Sequence, residues 1–191
     1  MSKKLNVILD LDQTLICAEE LNTFDAKKHR QKMKNYRHET FDNDYIIFER
    51  PGLQKFLDYI FSKYNVAVWT AASKDYALFI IEKFILTKPE RKLDFVFYSY
   101  HCDLSLKTKK GLKSLSMLWD VFELKKYKPT NTVIIDDNPE VRKKQECNVI
   151  AVREFHFEDR ASYKDAEFDK VTATLESLDK NLKTSGKINC V

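Results

Sequence analysis

Two pairs of acids and a neighbouring hydroxyl define the chemistry open to this chain. The first pair is Asp10-Leu11-Asp12, followed by Gln13 and Thr14, directly after the apolar run Val7-Ile8-Leu9. Carboxylates at i and i+2 just past a buried strand lie close together at the sheet's edge. Like charges buried side by side need a cation or a shared proton. Magnesium suits them, because it takes one or two carboxylates and fills its octahedron with waters and phosphate oxygens. Asp10 and Asp12 alone read as solvated turn aspartates; the preceding strand and Thr14 shift the balance to a functional pair. The second pair, Asp136-Asp137, follows Val133-Ile134-Ile135, and Asn138-Pro139 then turns the chain into a helix. One aspartate there would be an Asx turn or a cap. Paired carboxylates at two strand ends of one parallel sheet make an acidic pocket for a divalent ion.

Two further elements offer donors to a phosphoryl oxygen. Trp69-Thr70-Ala71-Ala72-Ser73 places a hydroxyl and backbone N–H groups at a predicted helix start, where anions are favoured. The plainer reading is a helix cap. A lysine is also needed. Lys113 begins a predicted helix bearing Leu115, Leu118 and Trp119, but spacing alone does not separate it from Lys107, Lys109 and Lys110.

The elements that must position these groups are legible as short β-branched runs: Val7 to Leu9, Val66 to Trp69, Phe95 to Phe97, Val133 to Ile135 and Val149 to Val152. Each is continuous rather than alternating, which is how strands buried on both faces read. Between them lie helical periods. Leu53, Phe56, Leu57, Ile60, Phe61 and Tyr64 share one face; Ser73 caps a helix through Leu78, Ile81, Ile85 and Leu86. Leu112 to Phe122 predicts a third helix, and Phe168 to Leu182 a fourth. The pattern predicts an α/β fold with a mostly parallel central sheet and helices on both faces, its chemistry at the carboxyl ends of the strands. Residues 17–49 break the alternation. They carry a basic run, Lys27 to Lys34, and a predicted hairpin of Tyr36 to Phe41 and Tyr45 to Phe48 about Asp42-Asn43-Asp44. This stretch reads as a small insert above the strand ends. Residues 1–183 are expected to form a single domain and 184–191 a flexible tail.

Composition narrows the options. Gly52, Gly111 and Gly186 are the only glycines of 191 residues, so neither a dinucleotide-binding turn nor a Walker loop can be written. The net charge is +4, and 26 of the 33 basic residues are lysine. Few arginine forks argue against direct nucleic-acid binding. The basic run Lys27 to Lys34 reads first as a solvated face, and secondly as a steering patch for an acidic partner. Cys17, Cys102, Cys147 and Cys190 show no C-x-x-C spacing, and four reduced thiols in a cytoplasmic or nuclear compartment are expected. The opening MSKKLNVILD lacks a long apolar stretch and no run of 18 apolar residues occurs, so neither a leader nor a membrane span is expected.

Taken together, Asp10-Leu-Asp-Gln-Thr-Leu15, Glu49-Arg-Pro-Gly52, Val68-Trp-Thr-Ala-Ala72, Leu112-Lys-Ser-Leu115 and Ile134-Ile-Asp-Asp-Asn-Pro139 resemble the FCP/SCP-type phosphatases of the haloacid dehalogenase superfamily. That branch includes phosphatases of the RNA polymerase II C-terminal domain. The resemblance spans residues 5 to about 180. It implies a haloacid-dehalogenase-like Rossmannoid fold and a Mg2+-dependent phosphoserine/phosphothreonine phosphatase working through an aspartyl-phosphate. Asp10 would be the nucleophile and Asp12 the general acid and base. Thr70 and Lys113 would bind phosphate. Magnesium would be held by Asp10, the Asp12 carbonyl and Asp137, with Asp136 and Thr14 supporting them. Asp137 stands where the smaller members commonly have Asn, and Tyr98 to Cys102 lacks their Arg before the Cys. The partner implied is a phosphorylated protein, the polymerase domain among the candidates, acted on by a monomer. The alternatives are a non-catalytic interaction module on the same scaffold, or a phosphatase of a small metabolite or nucleic-acid end.

Overall fold

The computed structural model describes residues 4–190. Its central sheet has five parallel strands: β1 (Asn6–Leu9), β5 (Asn65–Trp69), β6 (Leu93–Phe97), β7 (Thr132–Asp136) and β8 (Val149–Ala151), in the order β6-β5-β1-β7-β8. These are the five apolar runs. The first strand is central, so Leu9 pairs with Val68 on one side and Ile135 on the other. That register sets the residues after β1, β5 and β7 level at one edge.

Alternation of side chains across the strand splits the core in two. Val7 and Leu9 pack with α2 (Leu53–Lys63), α3 (Lys74–Ile80) and α7 (Glu167–Ser185) through Leu57, Ile60, Ile80 and Leu175. Ile8, Ala67 and Trp69 face Leu115, Met117, Leu118 and Val141 on the opposite side. Burial on both faces is why the runs are continuous.

The insert is more elaborate than a hairpin. Strands β2 (Ile16–Glu20), β4 (Tyr45–Glu49) and β3 (His38–Phe41) form an antiparallel sheet in the order β2-β4-β3. The basic run lies in α1 (Ala26–Met33), capped by Asp25 and burying none of its residues. Beneath it, Tyr36, Phe48, Phe155 and Phe157 build a separate aromatic core, with Phe48 stacked on Phe157 at 3.8 Å between centroids.

Four local expectations need correction. The helix after Ser73 passes into a π-helical segment, Ile81–Ile85. Of the expected face, Ile81 and Ile85 are buried, together with Tyr76, Ala77, Ile80 and Phe84, while Leu78 and Leu86 are exposed. The helix expected from Leu112 is only α5 (Ser116–Asp120), and Lys113 precedes it at φ 46°. The stretch before it forms α4 (Ser99–Lys109). The C-terminal segment expected to fray is docked. Ile188 is buried, its N–H donates to the Thr130 carbonyl at 2.9 Å, and Cys190 is disulfide-bonded to Cys147. The expected four free thiols are therefore two, Cys17 and Cys102, both buried. A separation of 43 residues hid the pair, because only the docking of the last residues brings them together. Val191 lies outside the described residues.

Candidate active site

Asp10 leaves β1 at the centre of the sheet's carboxyl edge, and its N–H donates to the Ile135 carbonyl at 3.1 Å. Asp136 ends β7 beside it. Between them sits the Lys113 ammonium, which donates to Asp10 Oδ1 and to Asp136 Oδ2, the latter at 2.8 Å. All three side chains are buried. Burial pushes the lysine's pKa down, but the two carboxylates outweigh it and hold the amine charged, above its usual range. Burial and the Asp10 charge push Asp136 up, against the opposing pull of Lys113.

The lysine reaches this position because of its backbone. A left-handed φ is costly for a residue with a Cβ, and here Gln145 clamps the loop from both sides. Its Nε2 donates to the Lys113 carbonyl at 3.0 Å, and its Oε1 accepts from the Leu115 N–H at 2.9 Å. Asp136 is fixed in turn by the Asn138 N–H, which donates to Oδ1 at 2.9 Å.

Asp12 and Thr14 lie on a tight turn. Gln13 is left-handed at φ 59°, and the Leu15 and Ile16 N–H groups both return to the Leu11 carbonyl. From this turn Thr14 Oγ1 donates to Asp137 Oδ1 at 2.9 Å. Asp12 faces the other way, its Oδ1 accepting from the Tyr76 hydroxyl at 2.7 Å. Burial pushes the Asp12 carboxyl up to about 6; Tyr76 opposes that and Asp10 adds to it. Thr70 is buried at the same edge, after β5. Its oxygen accepts from the Ala72 N–H at 3.0 Å, which leaves the hydroxyl proton to donate.

A cavity of about 340 Å³ opens beside Asp12, walled by Phe41 and Tyr45 of the insert and by Ser73 and Tyr76 of the main body.

The family-model comparison matches residues 5–185 to the NLI interacting factor-like phosphatases. The chain belongs to this family. It is 42% identical over 187 residues to the CTD phosphatase-like protein 355R of invertebrate iridescent virus 3, covering 93% of this chain and 98% of that one. Protein 037R of frog virus 3 is 32% identical over 135 residues, 69% of this chain and 61% of its own. The fold superposes on the solved structure of Fcp1, an essential RNA polymerase II CTD phosphatase, with a TM-score of 0.62 at 20% identity, over 99% of this chain and 69% of that one. A β-phosphoglucomutase-like structure from Thermotoga maritima gives 0.54 at 14% identity, over 90% of this chain and 98% of that one. Family and fold together identify a haloacid-dehalogenase-type phosphatase.

The family's scaffold brings Asp10, Asp12, Thr14, Lys113, Asp136 and Asp137 to one edge, with Thr70 beside them. One carboxylate oxygen each from Asp10, Asp136 and Asp137 lies within 4.8 Å of the others. This is an all-oxygen donor set carrying more negative charge than Lys113 balances, and it fits a hard divalent cation. Burial and the Asp10 charge raise the Asp137 pKa, as expected of a carboxylate short of counter-charge. Asp136 is already occupied by Lys113 and Asn138, which leaves Asp10 and Asp137 as the freer carboxylates.

Three supporting residues were not singled out as site residues from sequence. Tyr76 reads as a core aromatic at helical spacing. Gln145 carries no signal at all. Arg50 had one, a guanidinium between the apolar strand Tyr45 to Phe48 and Pro51. It is wholly buried, donates to both Asp165 oxygens at 3.0 Å and holds the Thr14 carbonyl at 2.9 Å. It pins the turn that carries Asp12 and Thr14.

Proposed function

We propose that this protein is a Mg2+-dependent phosphatase acting on phosphoserine or phosphothreonine in proteins, through a phosphorylated Asp10. The observation that carries the reading is the Lys113 ammonium clamped between Asp10 and Asp136, with Asp12 two residues further on beside an open cavity. Asp10 attacks phosphorus as the P–O bond to the substrate oxygen breaks. The electron pair of that bond goes to the leaving oxygen, which takes a proton from the Asp12 carboxyl. Water then attacks the aspartyl-phosphate and gives its proton to Asp12, releasing inorganic phosphate and restoring Asp10. A carboxyl raised to about 6 keeps a protonated fraction near neutral pH that an ordinary aspartate lacks. Lys113 neutralises charge on the phosphoryl oxygens without reorganising, and the Thr70 hydroxyl donates to one of them. Magnesium, held by Asp10, Asp137 and the Asp12 carbonyl, would supply further positive charge to those oxygens.

A protein substrate is supported by the open, aromatic-walled cavity and by the description of the viral relatives as CTD phosphatase-like. The C-terminal domain of RNA polymerase II is therefore the first substrate to test, with the chain acting as a monomer in the cytoplasm or nucleus. Turnover of an aryl phosphate by wild type, Asp10→Asn and Asp12→Asn, with magnesium and with EDTA, tests the mechanism. Turnover is expected from the wild type with magnesium, none from Asp10→Asn or with EDTA, and a slower rate from Asp12→Asn that falls further as the leaving group weakens. Turnover unaffected by Asp10→Asn would sink it, and an inert wild type would favour an interaction module. A phosphopeptide panel against metabolite phosphates then tests the substrate class.

A further inference from the structure

Tyr76 is tied to the reaction through one bond and held by the insert. Its hydroxyl donates to Asp12 Oδ1 at 2.7 Å, across 64 residues. The ring is buried, with Phe41 edge-on at 5.3 Å and 86°, and Tyr45 edge-on at 6.3 Å and 78°. Both partners belong to the β3–β4 hairpin, and edge-on pairs fix ring orientation as well as position. A carboxyl held at one oxygen by a locked donor has lost rotation about its χ2. The proton it exchanges is then confined to Oδ2.

We propose that Tyr76 is the positioning residue of the general acid, and that the insert's Phe41 and Tyr45 hold Tyr76 in place. The inference rests on the reading of Asp12 as proton donor. In the forward step Oδ2 gives its proton to the leaving oxygen as the P–O bond breaks. In the second step Oδ2 takes a proton from the attacking water. Tyr76 keeps its own proton throughout.

A leaving-group series separates this role from a structural one. The kcat/KM values of a ladder of small aryl phosphates, from dinitrophenyl to phenyl, are measured with magnesium for wild type, Tyr76→Phe and Asp12→Asn. Dinitrophenolate departs without a proton, whereas phenolate needs one. General acid catalysis contributes about 10²–10⁴-fold, and misplacing the acid forfeits about 10–100-fold of it on phenyl phosphate. On dinitrophenyl phosphate the expected loss for Tyr76→Phe is at most about threefold, giving a steeper dependence on leaving group. Tyr76→Phe keeps the ring, and its thermal midpoint against wild type checks the fold. Phe41→Leu, which loosens the ring without touching the hydroxyl, is expected to steepen the dependence in the same sense, by less. Equal losses for Tyr76→Phe across the ladder, or none, overturn the proposal. A flat ladder for Asp12→Asn, or an inert wild type, overturns the reading of Asp12 and the proposal with it. A steep ladder for Asp12→Asn with a flat one for Tyr76→Phe removes the Tyr76 role alone.

Discussion

The sheet edge and the insert both hold many charges, and they hold them in opposite ways. At the edge, Asp10, Lys113 and Asp136 are buried and bonded to one another, with Asn138 and Gln145 fixing their backbones. In the insert, Lys27, Lys28, Arg30 and Lys34 stand in water on a helix that buries nothing. Of that basic run, Lys32 and His29 make specific contacts. Lys32 donates to the Asp159 carbonyl at 2.6 Å and lies over the Phe157 ring, while His29 sits 3.3 Å from Glu158. The insert is instead held by aromatic packing around Phe48 and Phe157. Charge density in sequence is therefore a poor guide to where charge matters. A few buried, mutually bonded groups carry strong fields, because little water screens them.

If that contrast is right, the edge breaks hard and the insert's surface barely responds. The largest effect is expected for Asp10→Asn, a loss of at least about 10⁴-fold in kcat, since no neighbouring group replaces a lost nucleophile. Steady-state kinetics with phosphopeptide check it. Lys113→Met is expected to cost about 10²–10³-fold in kcat, the range for a preorganised donor to developing charge. It is also expected to destabilise, because Asp10 and Asp136 are left buried without their cation. Urea melts measure the second effect. Arg50→Leu leaves Asp165 buried and unpaired, and a loss of about 3–5 kcal/mol in the same melts is expected.

A smaller effect comes from pH. Burial pushes Asp165 up, but the Arg50 hydrogen bonds outweigh it and hold the carboxyl below the ordinary 3.8. A group with a depressed folded pKa contributes stability above its unfolded value and loses it as pH falls through the folded one. Urea midpoints of wild type should therefore fall below about pH 4, and Asp165→Asn, less stable at neutral pH, should show a shallower acid limb. The smallest effect is expected from replacing Lys27, Lys28, Arg30 and Lys34 together by Gln: stability within about 0.5 kcal/mol per substitution. If these residues steer an acidic substrate, kcat/KM on phosphopeptide should fall at low salt and converge with wild type at high salt. An unchanged salt profile would remove that role.

Much of the fold was legible because continuous β-branched runs bounded by amphipathic periods can satisfy burial on both faces in few other ways. All five strands of the parallel sheet lie where those runs lie. The acids were legible for the same reason, since Asp10 and Asp136 follow or end strands whose depth is already set. The insert's hairpin was legible from its turn, but β2 was not, because Ile16 to Glu20 is too polar to read as a strand until β4 pairs with it. The exposed Leu78 shows the limit of reading a face from apolar residues alone, since it lies in the regular α3, whose buried side is formed by Tyr76, Ala77 and Ile80.

The residues that hold the acids belong to a different class of information. Tyr76 meets Asp12 across 64 residues, Lys113 meets Asp10 across 103, and Arg50 meets Asp165 across 115. Spacing does not separate Lys113 from the other lysines; a left-handed backbone and a glutamine 32 residues on put its ammonium in place. By itself the sequence determined the five strands of the parallel sheet, which residues line their ends, and that carboxylates rather than glycine loops would handle phosphate. Tertiary structure decided which cation neutralises which acid, which hydroxyl holds Asp12, and that Cys190 returns to Cys147. The physical reason is range. Propensity and periodicity act over a few residues, whereas the desolvation that makes one buried hydrogen bond decisive exists only after distant segments have closed around it.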